Sequence, residues 1–210
     1  VHDLLVPPFQ RNDPYAVQQA QQRQIIVATW YRWAQEMFCD AVGLVIGGPC
    51  FLRAFSSYLT TMDRGDFYRH IDDLRGSPHP VTWLRVQFLT KRARDRGLYK
   101  LADTVEQDWK TIAMVMGVVE DYHGFYDRRL QRAIEQSIDD MLVETSPYEC
   151  APEDVTSDGW SPETDTVVRL LNRAWEIHAR DPEGYQHWES AQIKLLVDSP
   201  IRGLAGEDIS

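Results

Sequence analysis

Two pairs of side chains in this 210-residue sequence have the types and spacing to do chemistry: Glu36 with Asp40, and His79 with Arg85. Residues four apart share a face of a helix, so Glu36 and Asp40 would present their carboxylates side by side. A hard carboxylate held at a helix edge can ligate a cation in a neighbouring cleft, with Glu36 as the ligand and Asp40 supporting it. The same spacing also suits a plain surface arrangement. There Arg32 pairs with Glu36 at i,i+4, worth about 0.3 to 0.5 kcal/mol, and Asp40 meets water or a distant base. His79 stands between Pro78 and Pro80 with Arg85 six residues on. A stiffened loop running into the first turns of a helix would hold a donor and a fixed cation near one another, a combination that stabilises an oxyanion. The simpler alternative is an imidazole that caps backbone and an arginine paired with an acid. His70, His123, His178 and His187 are isolated among polar neighbours and read as structural or surface residues.

The elements that must carry these residues are helical. A long helix is predicted from Pro14 to Val45, capped by Asn12 and Asp13 and ended by Gly47-Gly48-Pro49. At about 100° per residue, Ile26, Trp30, Trp33, Met37, Ala41 and Leu44 form one apolar stripe, and Val27, Tyr31, Phe38 and Val42 a second, nearly opposite. A helix apolar on so much of its circumference is expected inside a domain. A second helix should run from Pro49 to about Met62, and a helical turn lies within Phe67 to Leu74.

Ser77-Pro78-His79-Pro80 forbids helix locally. Val81 to Arg96 then resumes it, with Val81, Leu84 and Phe88 inward and Gly97 as the stop. Helical spacing continues from Tyr99 through Met116 and from Tyr126 through Leu142, and with Gly117 and Gly124 between them two antiparallel helices or one kinked helix fit equally well. Ser146 to Ser161 reads as a linker rich in Pro and acids. Ser161, with Pro162 after it, is expected to cap a helix to Arg180. Asp181-Pro182 ends that helix, and a last one passes through Trp188 to Val197 before a frayed tail. No strand-period run appears, so the expected fold class is all-α, built around the long helix.

Composition narrows the function classes. A hydrophobic content of 43% supports one good core. The net charge of -10 is unevenly spread: residues 1 to 100 hold 13 Lys+Arg against 9 Asp+Glu, net +4, and residues 101 to 210 hold 9 against 23, net -14. An acidic second half argues against nucleic acid as partner. The cluster from Lys91 to Arg96 is then the solvated end of a helix, or a dock for the acidic half. No apolar stretch is long enough to span a membrane, and no signal sequence opens the chain. Cys39, Cys50 and Cys150 are odd in number and lack metal spacing, which points to a reducing, cytoplasmic setting. No G-x-G-x-x-G, Walker loop or G-x-S-x-G elbow is present. The chain opens at Val1, not Met, and is expected to be a piece of something longer.

Taken together, Glu36-Met37-Phe38-Cys39-Asp40 and His79-Pro80 followed by Arg85 resemble the distal half of gluzincin zinc peptidases of the M48 kind. That family carries an E-x-x-x-D turn and, later, an H-P-x-x-x-x-R segment. The resemblance covers roughly residues 20 to 97. It implies Glu36 as a zinc ligand, Asp40 as the residue orienting a ligand, and His79 with Arg85 at the substrate or the oxyanion. The family's H-E-x-x-H, which supplies two ligands and the general base, is absent from these residues. Zinc would therefore need ligands from outside this chain.

The organisation expected is a gluzincin-like half over 1–97, a helical extension over 98–145, an acidic linker over 146–161, a helical pair over 162–198 and a tail over 199–210. Two functions follow. One is the C-terminal portion of a zinc metallopeptidase-like protein completed by an upstream or companion chain. The other is a non-catalytic helical interaction or regulatory subunit that binds a protein partner.

Overall fold

A computed structural model describes residues 16–63, 67, 70–117, 128–155, 160–161 and 165–198. All regular structure among them is helical, and the fold is all-α. The expected helix cap at Asn12 to Pro14, His123, Gly124 and the tail from Ser199 lie outside the described residues. The chain forms two compact units, Val1–Tyr148 and Glu149–Ser210.

In the first unit, α1 (Ala16–Gly47) is followed by α2 (Pro49–Asp63), the short α3 (Ile71–Gly76), α4 (Thr82–Asp95), α5 (Tyr99–Met116) and α6 (Arg128–Thr145). The long helix α1 packs against α2, α3, α4 and α6, and α4 packs against α1, α2 and α5. The first apolar stripe of α1 is the buried one: Trp30, Trp33, Met37, Ala41 and Leu44 are all in the core, with Ile26 packed at its edge. The second stripe is not enclosed. Tyr31 is 69% exposed, and Val27, Phe38 and Val42 are half-buried. The helix that is enclosed is α4. Its Thr82, Trp83, Leu84, Val86, Phe88, Leu89, Thr90 and Ala93 are buried, far more than the three inward positions expected. Helices on several sides leave α4 little free circumference, whereas α1 keeps a wet face.

Helices α5 and α6, read from the sequence as an extension after residue 97, bury Trp109, Ile134 and Ile138 in this same core. Trp83, Trp109 and Phe67 form an aromatic knot with centroids 5.6 to 6.3 Å apart, within the range that favours offset and tilted ring pairs. The Trp109 indole N–H donates to the Ser56 hydroxyl at 3.0 Å, so α5 is tied to α2 with its buried donor satisfied.

The basic end of α4 meets acids of α5 and α6. Lys91 pairs with Glu135 at 3.0 Å, Arg92 with Asp139 at 2.7 Å, and Arg94 with Asp103 at 2.8 Å and with Glu106. These pairs link α4 to α5 and α6 at the rim of the core, each worth about 0 to 1 kcal/mol at such exposure. Gly97 ends the helix in a left-handed conformation, φ 81°, where an L side chain is strained. The Leu98 N–H then donates to the Ala93 carbonyl at 2.9 Å and the Gly97 N–H to Arg94, which is a Schellman stop.

The second unit contains α7 (Pro152–Val155), α8 (Val167–Arg180) and α9 (Pro182–Asp198). Helix α8 starts later than the expected Ser161-Pro162 cap. Thr166 is the N-cap, its hydroxyl accepting from the Arg169 N–H at 3.1 Å. The reason is the buried Asp154, which accepts from the Ala151 N–H at 3.0 Å and from the Thr166 hydroxyl and so fixes the cap. Trp160 and Ser161 are used in the approach instead: the Trp160 indole donates to the Thr166 carbonyl, and the Ser161 N–H to Asp165. Helices α8 and α9 pack as a hairpin.

Candidate functional site

Helix α1 sets Glu36 and Asp40 on one side, and the segment before α4 delivers His79 and Arg85 to them. Ser77 shapes that segment. Its buried hydroxyl donates to the His79 carbonyl at 2.6 Å and accepts from the His79 N–H at 3.3 Å, closing the turn that Pro78 and Pro80 stiffen. His79 Nδ1 lies 3.0 Å from Glu36 Oε2. Arg85 grips Asp40 in bidentate fashion, Nε to Oδ2 at 2.9 Å and Nη2 to Oδ1 at 2.7 Å. The same Nη2 stands 3.7 Å from Glu36 Oε2, and the guanidinium carbon sits 5.0 Å from the centre of the Phe55 ring. The four residues named from the sequence thus meet at one place.

Burial grades across the cluster. The side chains are 9% exposed at Asp40, 15% at Arg85, 31% at Glu36 and 52% at His79. Burial pushes the Asp40 carboxyl above the usual carboxylate range, against the lowering effect of the two hydrogen bonds and the charge of Arg85. Behind the Asp40–Arg85 pair, the space among Met37, Phe88, Leu89 and Ile138 is too small for a water. Arg32 does not pair with Glu36. It donates to the Arg75 carbonyl at 3.1 Å and so ties α1 to α3.

Glu36 and His79 supply two ligands, where catalytic zinc needs three from protein. Among the described residues no group of three or more His, Cys, Asp and Glu is arranged to hold a metal ion. The Arg85 guanidinium at 3.7 Å from the Glu36 carboxylate is a fixed positive charge where a dication would have to approach. As placed, these residues do not fit zinc on their own. The oxyanion role suggested for Arg85 meets a similar obstacle, because two of its nitrogens are directed to Asp40.

A second cluster lies in the hairpin of α8 and α9. Trp175, His178 and Ala174 on α8 and Tyr185 on α9 line a cavity of about 130 Å³. Trp175 and His178 meet edge to face, centroids 5.9 Å apart at 71°, and His178 and Tyr185 at 5.2 Å and 85°. Trp188 backs Tyr185 at 5.9 Å. The Tyr185 hydroxyl donates to Glu189 at 3.0 Å, and burial together with that carboxylate holds the phenol above its usual range, in its neutral form. His178, read from the sequence as isolated among polar neighbours, is therefore one wall of an aromatic pocket. The signal available was Trp175 and His178 three apart before Asp181-Pro182, mirrored by Tyr185 and Trp188 three apart after it. A short helical turn folds those two aromatic faces together.

No helix among the described residues is long and apolar enough to cross a membrane. Comparison of the chain with protein-family models, with curated proteins and with solved structures gives no match, so the likeness to gluzincins stands on the residues alone.

Proposed function

We propose that this chain is a non-catalytic helical interaction module, with its acidic C-terminal hairpin as the surface that contacts a protein partner. The observation that carries this reading is the exposed apolar face of that hairpin. Helix α8 is strongly amphipathic, with Val167, Leu171, Ala174, Trp175 and His178 within one arc of about 100°. Val167 and Leu171 in the middle of that arc are exposed; Ile193, Leu195, Leu196 and Val197 on α9 are exposed too, but they lie around that helix and not on one face of it. Apolar surface arranged on one face of a helix is typical of a surface awaiting a partner. Residues 149 to 210 hold 5 Lys+Arg against 13 Asp+Glu, net -8, so the partner is basic around its apolar contact.

The test compares Leu171→Glu with Glu36→Gln in the natively isolated assembly. The reading expects the first to dissociate a stoichiometric partner and the second to leave it bound. Intact assembly with Leu171→Glu would overturn it.

The peptidase reading has one supporting point, the approach of His79 Nδ1 to Glu36 Oε2 at 3.0 Å. It requires an H-E-x-x-H from another chain and release of Glu36 from Arg85. Under it, peptide hydrolysis by the assembly is lost on Glu36→Gln.

A further inference from the structure

We infer that the pocket between α8 and α9 receives an alkylated ammonium head, presented as a methylated lysine of a basic protein partner. This rests on the interaction reading above and assigns the chemistry of its contact.

The pocket walls are π surfaces meeting at steep angles. Trp175 and His178 cross at 71° and His178 and Tyr185 at 85°, so the rings form a corner and not a stack that fills its own interior. A cation within about 6 Å of the Trp175 or Tyr185 face is attracted to it, more strongly by Trp, while His178 closes the corner between them. The volume of about 130 Å³ is close to the roughly 150 Å³ of a cavity that takes up benzene, so a substituted ammonium fits.

Charge decides between a cation and a plain aliphatic side chain. Glu189 accepts the Tyr185 hydroxyl proton at 3.0 Å and sets a carboxylate behind one wall. The cations of α8 are turned away: at 100° per residue Arg169, Arg173 and Arg180 lie on the side opposite His178, and Arg169 and Arg173 are paired with Asp165 and Glu176. An aliphatic group would gain from burying its apolar surface here but not from the charge of Glu189. A hydrated lysine ammonium fits it less well than a methylated one, which gives up less solvation and fills the corner with methyl groups.

The test uses the full chain with isotope labelling of its amides and indoles. It is titrated with a short basic peptide bearing trimethyllysine, with the same peptide bearing the uncharged tert-butyl isostere, and with phosphocholine. The expected result is saturable shifts at Trp175 and Tyr185 with the trimethyllysine peptide, about 3- to 30-fold tighter than with the isostere. Glu189→Gln should narrow that ratio without unfolding the hairpin. His178→Phe, which keeps a ring wall, should retain binding, and His178→Arg should abolish it. Equal binding of the isostere, stronger binding of phosphocholine, or no shift at either ring overturns the assignment. If the peptides fail while Leu171→Glu still releases the partner, the pocket assignment falls and the interaction reading stands.

Discussion

Replacing Arg85 by Met tests the energetics of the cluster most sharply, because it strands a carboxylate that is 9% exposed. Removing one partner of a buried ion pair costs about 3 to 5 kcal/mol, far more than the roughly 0 to 1 kcal/mol of a surface pair, since the remaining charge has lost its compensation. The lost position over the Phe55 ring adds about 0.5 to 1 kcal/mol. The cost depends on pH with a definite sign. Burial already raises the folded-state pKa of Asp40 above its unfolded value, and Arg85 is the main influence lowering it. For an acid shifted upward, the native state holds more protons than the unfolded state between the two pKa values. Its stabilising contribution is present below the unfolded value and is lost as pH rises through the folded value.

Without Arg85 the folded value climbs further, so the deficit of Arg85→Met is greatest near neutrality and shrinks in acid, where Asp40 is neutral and only lost packing remains. Urea unfolding followed by near-ultraviolet circular dichroism at neutral and acidic pH measures both. Adding Asp40→Asn to Arg85→Met removes the stranded charge and should recover part of the loss at neutral pH. A deficit below about 1 kcal/mol at neutral pH, or one equal at both pH values, would refute the argument that this is a desolvated pair.

Two further substitutions probe the packing that positions the cluster. A Cβ added at Gly43 would fall 2.2 Å from the Phe51 ring, which stacks on Phe55 beneath Arg85; displacing that ring costs about 1 to 3 kcal/mol, less the roughly 0.5 to 1 kcal/mol that Ala gains over Gly in a helix, so Gly43→Ala should lower stability by about 0.5 to 2 kcal/mol. A thermal melt indistinguishable from the parent would show that the α1–α2 corner has slack. Ile138 is fully buried against the α1 face, and Ile138→Ala should cost about 2 to 5 kcal/mol in chemical unfolding. A loss of only a few tenths would mean that α6 is not part of the same core.

The helical class and most helix ends were legible because local chemistry sets them: Pro49, Gly97, Gly117 and Asp181-Pro182 each end or start a helix where expected. What sequence spacing could not supply was neighbourhood. The two stripes of α1 look alike in sequence, and only tertiary packing decides that Trp30 and Trp33 go inward while Tyr31 stays wet. The enclosure of α4 is likewise set by helices far away in the chain. The start of α8 at Val167 depends on Asp154, twelve residues before the Thr166 it fixes, beyond the reach of a local cap rule.

At the cluster, residue type went no further than an arginine paired with an unnamed acid; bringing Glu36 and Asp40 to His79 and Arg85, some forty positions away, was only what the likeness to gluzincins implied. Which base meets which acid was not legible. Arg85 takes the deeper Asp40, where a planar bidentate fork satisfies a desolvated carboxylate best, and His79 is left with the outer Glu36.

The most direct measurement is zinc content together with peptide hydrolysis for the natively isolated assembly, with and without Glu36→Gln. If Glu36, His79, Arg85 and Asp40 form a charge network that braces α1 against α4 in an interaction module, the substitution leaves subunit composition and metal content unchanged and removes no turnover. Loss of one zinc ion per chain, together with loss of peptidase activity on Glu36→Gln, would contradict that account and make Glu36 a ligand of a composite catalytic centre.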